Sequence, residues 1–165
     1  MKLKKKDLLY DIANMAYIIA DTGEYGRHTL HRVRDICQDG NIDRVSRILG
    51  LSYATLLSVM IPILEAPKIN VNRDFSSSSH DYCFNFNTQG NLKRALTTEI
   101  KLKIREICHE YMVCMVLTDW LAVTLPEAAD VWKFRAEKAL EAIKGLVAEV
   151  MLASYKNIKR RLWPF

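Results

Sequence analysis

Apolar residues recur every three or four positions over the first part of the chain. Leu8, Ile12, Met15, Ala16 and Ile19 do so between about Lys5 and Asp21, and Asp21-Thr22-Gly23 supplies a stop, so the spacing predicts a helix there. A second, shorter helix is expected after Thr29 as N-cap, with Leu30, Val33, Ile36 and Cys37 on one face and Gly40 placed for a left-handed C-cap. From Ile42 to Leu64 two further helical pieces are expected on either side of Gly50-Leu51-Ser52, with Pro62 loosening or ending the second.

The period then drops to two. Ile69-Asn70-Val71-Asn72 and Tyr82-Cys83-Phe84-Asn85-Phe86-Asn87 alternate apolar and polar residues, which predicts a β-hairpin at about residues 67–88 with Ser76 to Ser79 and His80 at its tip. A lone hairpin is marginal in water, so this one must lie on the helices or pair with strands of another subunit. Helical spacing returns with Ile100, Ile104, Ile107, Cys108, Tyr111, Cys114, Met115 and Thr118, giving a long helix from about Leu92 to Thr124. Thr124 is placed to cap the next helix, with Pro126 in its first turn and Glu127 and Asp130 at the positive end of the helix dipole. Val131, Phe134, Ala139, Leu140, Ile143, Leu146, Val147 and Val150 then run down that helix, which extends to about Lys159. Two long helices joined by a few residues pack antiparallel. The expected fold is therefore mainly α, a helical bundle dominated by a C-terminal antiparallel hairpin of long helices. It carries a small β-hairpin insertion and extended basic termini, with residues 1–155 as one domain and 156–165 as a docking tail.

Composition narrows this picture only slightly. With 165 residues, half of them hydrophobic and 26% charged, the chain can build one core without disulfides or metal. Cys37, Cys83, Cys108 and Cys114 show no paired spacing and read as reduced thiols. The lysine-rich start followed by Leu8 to Ala20 mimics an export signal, but Asp7, Asp11 and Asn14 interrupt the apolar stretch, so a helix is expected instead. No uncharged apolar run approaches the roughly 20 residues of a membrane span, and no membrane contact is expected.

Charge changes the picture more. Met1 to Lys6 holds four lysines and no acid, and Lys156 to Phe165 holds Lys156, Lys159, Arg160 and Arg161, again with no acid. Removing those eight from the 24 basic residues leaves 16 against 19 acidic ones, so a body of net −3 lies between two cationic ends. Such ends suit a contact with another subunit or a polyanion.

Candidate chemistry is sparse. Residues 42–61 match the spacing of a DNA-binding helix-turn-helix through Val45, Ser46, Leu49, Gly50, Leu51, Leu56 and Val59, and a regulator of that kind is the alternative function. Its would-be recognition helix, Ser52 to Met60, holds no Arg, Lys, Asn or Gln to bond base edges, so two short helices turning a corner is the preferred reading. His28, His31, Asp35 and Cys37 lack the paired ligands of a zinc site. Cys108, His109 and Glu110 are consecutive on a helix and diverge by about 100° per residue, so they cannot act as nucleophile and base. No glycine-rich phosphate loop, GxSxG or HExxH occurs; the sequence points away from an enzyme and calls for no cofactor and no metal. The closing stretch Lys159, Arg160, Arg161, Leu162, Trp163, Pro164 and Phe165 joins cations to two large aromatics, a combination suited to docking on a partner.

The run Leu117-Thr118-Asp119-Trp120-Leu121 through Leu125-Pro126-Glu127-Ala128-Ala129, then Val131-Trp132-Lys133 and Ala136 to Ile143, resembles head-tail connector (adaptor) proteins of tailed bacteriophages over about residues 97–150. The resemblance implies a helix, a proline-containing turn and a second helix near the C-terminus. It also implies a virion subunit, assembled in the host cytoplasm, that forms a homo-oligomeric ring, twelve-fold in the family. That ring would lie between the portal protein and neighbouring tail or ring proteins, line the DNA channel, and touch packaged DNA without reading it.

Overall fold

A computed structural model describes residues 1–22, 27–65 and 81–162, with side chains described for all of these but 22, 27–29 and 156–162. Six α-helices and one small sheet make up the described chain: β1 (Lys2–Leu3), α1 (Lys5–Thr22), α2 (Arg27–Arg34), α3 (Ile42–Met60), β2 (Tyr82–Cys83), α4 (Gly90–Ala95), α5 (Thr98–Thr124) and α6 (Pro126–Leu162). The fold is mainly α and is dominated by the antiparallel pair α5 and α6.

α5 is the axis of the bundle. It packs on α6 along most of its length and also meets α3, α1 and α2. That central position explains why Tyr111, Met112, Val113 and Cys114 are all buried in succession, where a surface helix would bury one stripe. α1 presents Leu8, Ile12, Ala16 and Ala20 inward, each at most 1% exposed. α6 buries Ala129, Trp132, Ala136, Ala139, Ile143, Leu146, Val147 and Val150.

Several local expectations are corrected. Thr29 lies inside α2, which begins at Arg27, and the chain leaves that helix through a 3-10 turn, Asp35–Cys37. The Asp35 carbonyl accepts from the Gln38 backbone N–H at 3.1 Å and from Asn41 Nδ2 at 2.8 Å. With that carbonyl satisfied no left-handed cap is needed, and among the described residues only Gly90 has positive φ, 58°, so Gly40 does not. Gly50 does not interrupt anything: α3 is one helix of 19 residues. Its buried stripe Val45, Ile48, Leu49, Ser52, Leu56 and Met60 is continuous through the glycine, and the Ser52 hydroxyl donates to the Ile48 carbonyl at 2.8 Å instead of capping a new helix. α3 stops before Pro62, which enters a 3-10 turn, Ile61–Ile63. The stretch Ile42–Ile63, with mean hydropathy 1.4, is long and apolar enough by composition to cross a membrane; here its apolar stripe is used against α5 and α6.

The β pairing also differs from the expected hairpin. Residues 69–72, its first arm, and the tip at 76–80 lie outside the described residues. The second arm pairs with the start of the chain, Lys2 opposite Cys83 and Leu3 opposite Tyr82, antiparallel. A bridge between Leu64 and Phe86 extends the pairing, with Glu65 N–H donating to Asn85 O at 2.8 Å and Asn87 N–H to Ile63 O at 2.9 Å. The small sheet lies on helices: Phe84 is fully buried, and the Tyr53 ring of α3 stands 5.1 Å from that of Tyr82 and 5.0 Å from that of Phe84.

Where the spacing predicts one helix from Leu92, there are two. α4 ends at Ala95, and Thr97, in extended conformation, accepts from Ile100 N–H at 3.3 Å and so opens α5 with a side-chain cap. Thr124 does not cap α6; it is the last residue of α5, and its hydroxyl donates to Trp120 O at 2.9 Å. Pro126 does open α6, with Glu127 in the first turn.

Candidate interaction surfaces

The two cationic ends meet different fates. At the start, the Met1 amino group donates to Phe84 O at 2.6 Å, Lys2 Nζ lies 2.7 Å from Asp81 Oδ2, and Lys5 N–H donates to Asp81 Oδ1 at 3.0 Å. Asp81 is held below the usual carboxylate range by these donors, the Lys2 hydrogen bond first, and Lys2 is raised by the same bond. Leu3 is buried, so this end is stitched into the bundle and leaves Lys4 and Lys6 exposed. At the other end the backbone of α6 stays helical to Leu162. The side chains of Lys159, Arg160, Arg161 and Leu162, and the whole of Trp163 and Phe165, lie outside the described residues.

Along α5 runs a shallow groove. One part, about 610 Å³, is lined by Phe84, Phe86, Lys101, Leu102 and Arg105 among others; a second, about 420 Å³, continues past Leu102 and Arg105 to Glu106 and His109. Lys101 Nζ lies 6.0 Å from the centre of the Phe86 ring.

The thiols and the histidine are dispersed. Cys108 is fully buried and pushed up to about 12 by burial, and Cys114 likewise to about 12, first by burial and then by Glu110. His109 Nε2 lies 2.7 Å from Asp11 Oδ2 on α1, and Glu110 accepts from Cys114 Sγ at 3.4 Å. The three consecutive side chains thus diverge: Cys108 into the core, His109 to Asp11 on α1, and Glu110 to Cys114 one turn along α5. His31 is exposed, whereas Cys37 Sγ sits 3.6 Å from Leu9 O, so these two do not converge. Cys83 alone of the four thiols is exposed.

Residues 42–60 form one continuous helix, so the turn that the helix-turn-helix spacing calls for is not made there. Arg44 is held by contacts within the protein. Its Nε donates to Asp119 Oδ2 at 2.8 Å, its Nη2 to the Asp119 carbonyl at 3.0 Å, and its guanidinium lies 5.5 Å from the centre of the Trp120 ring. Trp120 Nε1 in turn donates to Val33 O at 3.2 Å. Asp119 and Trp120 therefore tie α5 to α3 and α2.

The feature that sequence spacing does not isolate is the outer side of α6. Val131 and Phe134, which the spacing groups with the core residues, are each 56% exposed, and Leu152 and Tyr155 are 61% and 60% exposed. Lys138 Nζ lies 4.6 Å from the Phe134 ring centre. No protein-family model, no curated protein and no solved structure matches the chain. Function must therefore be argued from these surfaces.

Proposed function

We propose that the chain is a non-enzymatic structural subunit of a phage head-tail connector, joining portal to tail in a ring of identical copies. The observation that carries the reading is α6: a 37-residue rod whose helical backbone extends from its packing on α5 through the basic stretch to Leu162. Such a rod presents contacts to neighbours on a rigid element, and its turn at Pro126 and its pairing with α5 lie in the stretch that resembles connector proteins. Lys159, Arg160, Arg161, Leu162, Trp163 and Phe165 form the portal-facing contact, Trp163 as its aromatic anchor and the arginines setting orientation. Exposed cations meet packaged DNA through its phosphates alone, which makes that contact salt-sensitive and blind to sequence.

The test is the mass of the purified chain alone and with its cognate portal, repeated after deleting Arg161 to Phe165. A ring-sized complex that the deletion abolishes, with helicity and thermal unfolding unchanged, supports the reading. Co-purification at wild-type levels after the deletion removes the tail from it, and a footprint on a single operator that persists in high salt replaces the reading with a regulator.

A further inference from the structure

We propose that the outer face of α6 is a self-pairing surface on which α6 of a second copy of this chain lies antiparallel, centred at the level of residue 143. The inner stripe of α6 is spent on α5 and its neighbours. Diametrically opposite it, alternate steps of three and four residues give Val131, Phe134, Lys138, Glu141, Gly145, Ala148, Leu152 and Tyr155, all exposed. This is a heptad seam of about three and a half repeats, apolar at both ends and small near its middle.

Two observations say what covers it. The first is Gly145, a residue that weakens a helix interior. A Cβ there would meet nothing within 4 Å, so nothing inside the chain requires a glycine. With exposed Ala148 beside it, it leaves a low stretch where a second helix axis can come close. The second is charge. Folding the face onto itself about residue 143 sets Phe134 against Leu152 of the second copy, Lys138 against Ala148 with Glu149 next to it, and Glu141 against Gly145 with Lys144 next to it, each occurring twice by symmetry. A parallel pairing in register would stack Lys138 on Lys138 and Glu141 on Glu141. Within one chain Lys144 Nζ already bonds Glu141 Oε1 at 2.7 Å and Lys138 lies over Phe134, so the antiparallel pair links existing partners into a network and covers the exposed ring.

The inference does not rest on the connector reading. An antiparallel pair is isologous and closes on itself, whereas ring contacts are heterologous and belong to other surfaces.

The experiment is sedimentation equilibrium of the full chain over a concentration series, with circular dichroism as the control for folding. The expected result is a monomer–dimer equilibrium that Lys138→Glu weakens at least tenfold and that Lys138→Glu combined with Glu149→Lys restores. Gly145→Leu should also weaken it while leaving the monomer folded. In a Cys83→Ser background, a mixture of Lys138→Cys and Glu149→Cys chains should form an intermolecular disulfide that neither forms alone. A monomer at every concentration, which would leave the face to a different protein, overturns the proposal. So does an oligomer indifferent to Lys138→Glu, a double variant that fails to restore pairing, or cross-linking of Lys138→Cys to itself.

Discussion

Arg44→Ala should destabilise the protein by about 1.5–2.5 kcal/mol, although the ion pair it breaks is about a third exposed. The side chains of Arg44 and Asp119 are 34% and 36% exposed, so solvent screens the pair and its Coulombic part is worth about 0.5–1 kcal/mol. The Arg44 bond to the Asp119 main-chain carbonyl contributes about 0.5–1 kcal/mol after the same discount. Contact with the Trp120 ring contributes about 0.5 kcal/mol. Asp119→Ala removes only the carboxylate and should cost about 1 kcal/mol. For a chain of this length each kcal/mol lowers Tm by about 2–4 °C, which calorimetry resolves. The double variant Arg44→Ala/Asp119→Ala should reveal a coupling of about 0.5–1 kcal/mol that shrinks in 1 M salt. Arg44→Lys, which keeps the charge but loses the planar fork, should recover less than half of the loss. An Arg44→Ala protein within about 0.3 kcal/mol of wild type, or a zero coupling, would refute the assignment of Arg44 to holding α3 on α5.

Two further outcomes are expected from the same geometry. At pH 8 a disulfide reagent should modify one thiol quickly, Cys83, because burial holds Cys108 and Cys114 at about 12 and raises Cys37 as well; loss of the fast phase in Cys83→Ser checks this, and rapid reaction of a second thiol contradicts it. Asp81 titrates below its ordinary range in the folded chain, so its contribution is present above about pH 4 and fades as pH falls through the lower folded value. Thermal unfolding against pH should therefore find Asp81→Asn less stable than wild type at neutral pH and the gap closing in acid; a gap that widens in acid would reverse the sign. Lys2 is raised, so its share of the bond is present at neutral pH and is lost only as pH rises above about 10.5 through the folded value.

How much of the fold is legible in the sequence depends on whether a signal is local. The apolar period of α1 and of α5 fixes those helices because it concerns only their own faces, and the turn at Pro126 is written in one residue. Gly50 misleads because glycine favours a turn, yet its cost inside a helix is only about 1 kcal/mol and packing outweighs it; what decides is the continuous stripe from Val45 to Met60, which has a partner helix to cover it. The pairing of Tyr82–Cys83 with Lys2–Leu3 joins segments some eighty residues apart, and no local pattern announces it. Likewise the Arg44–Asp119 contact is separated by 75 positions, so Asp119 and Trp120 can be read as part of a resemblance but not as a clasp.

The outer face of α6 is hidden for a different reason. A helix at the edge of a bundle ordinarily carries one apolar stripe, so spacing alone groups Val131 and Phe134 with Ala139, Ile143 and Val150 into one face. The helix carries two stripes, and they interleave: Trp132, Ala136, Ala139 and Ile143 step inward, while Val131, Phe134, Lys138 and Glu141 step outward one or two positions away. Each obeys the same three-and-four rhythm, so their sum looks like a single broad face until the position of α5 says which one is spent. Once α5 claims the inner stripe, Phe134 and Leu152 become residues whose apolar character the isolated chain does not use. Their exposure, with the unforced glycine between them, is the reason to expect that this rod is completed by another molecule.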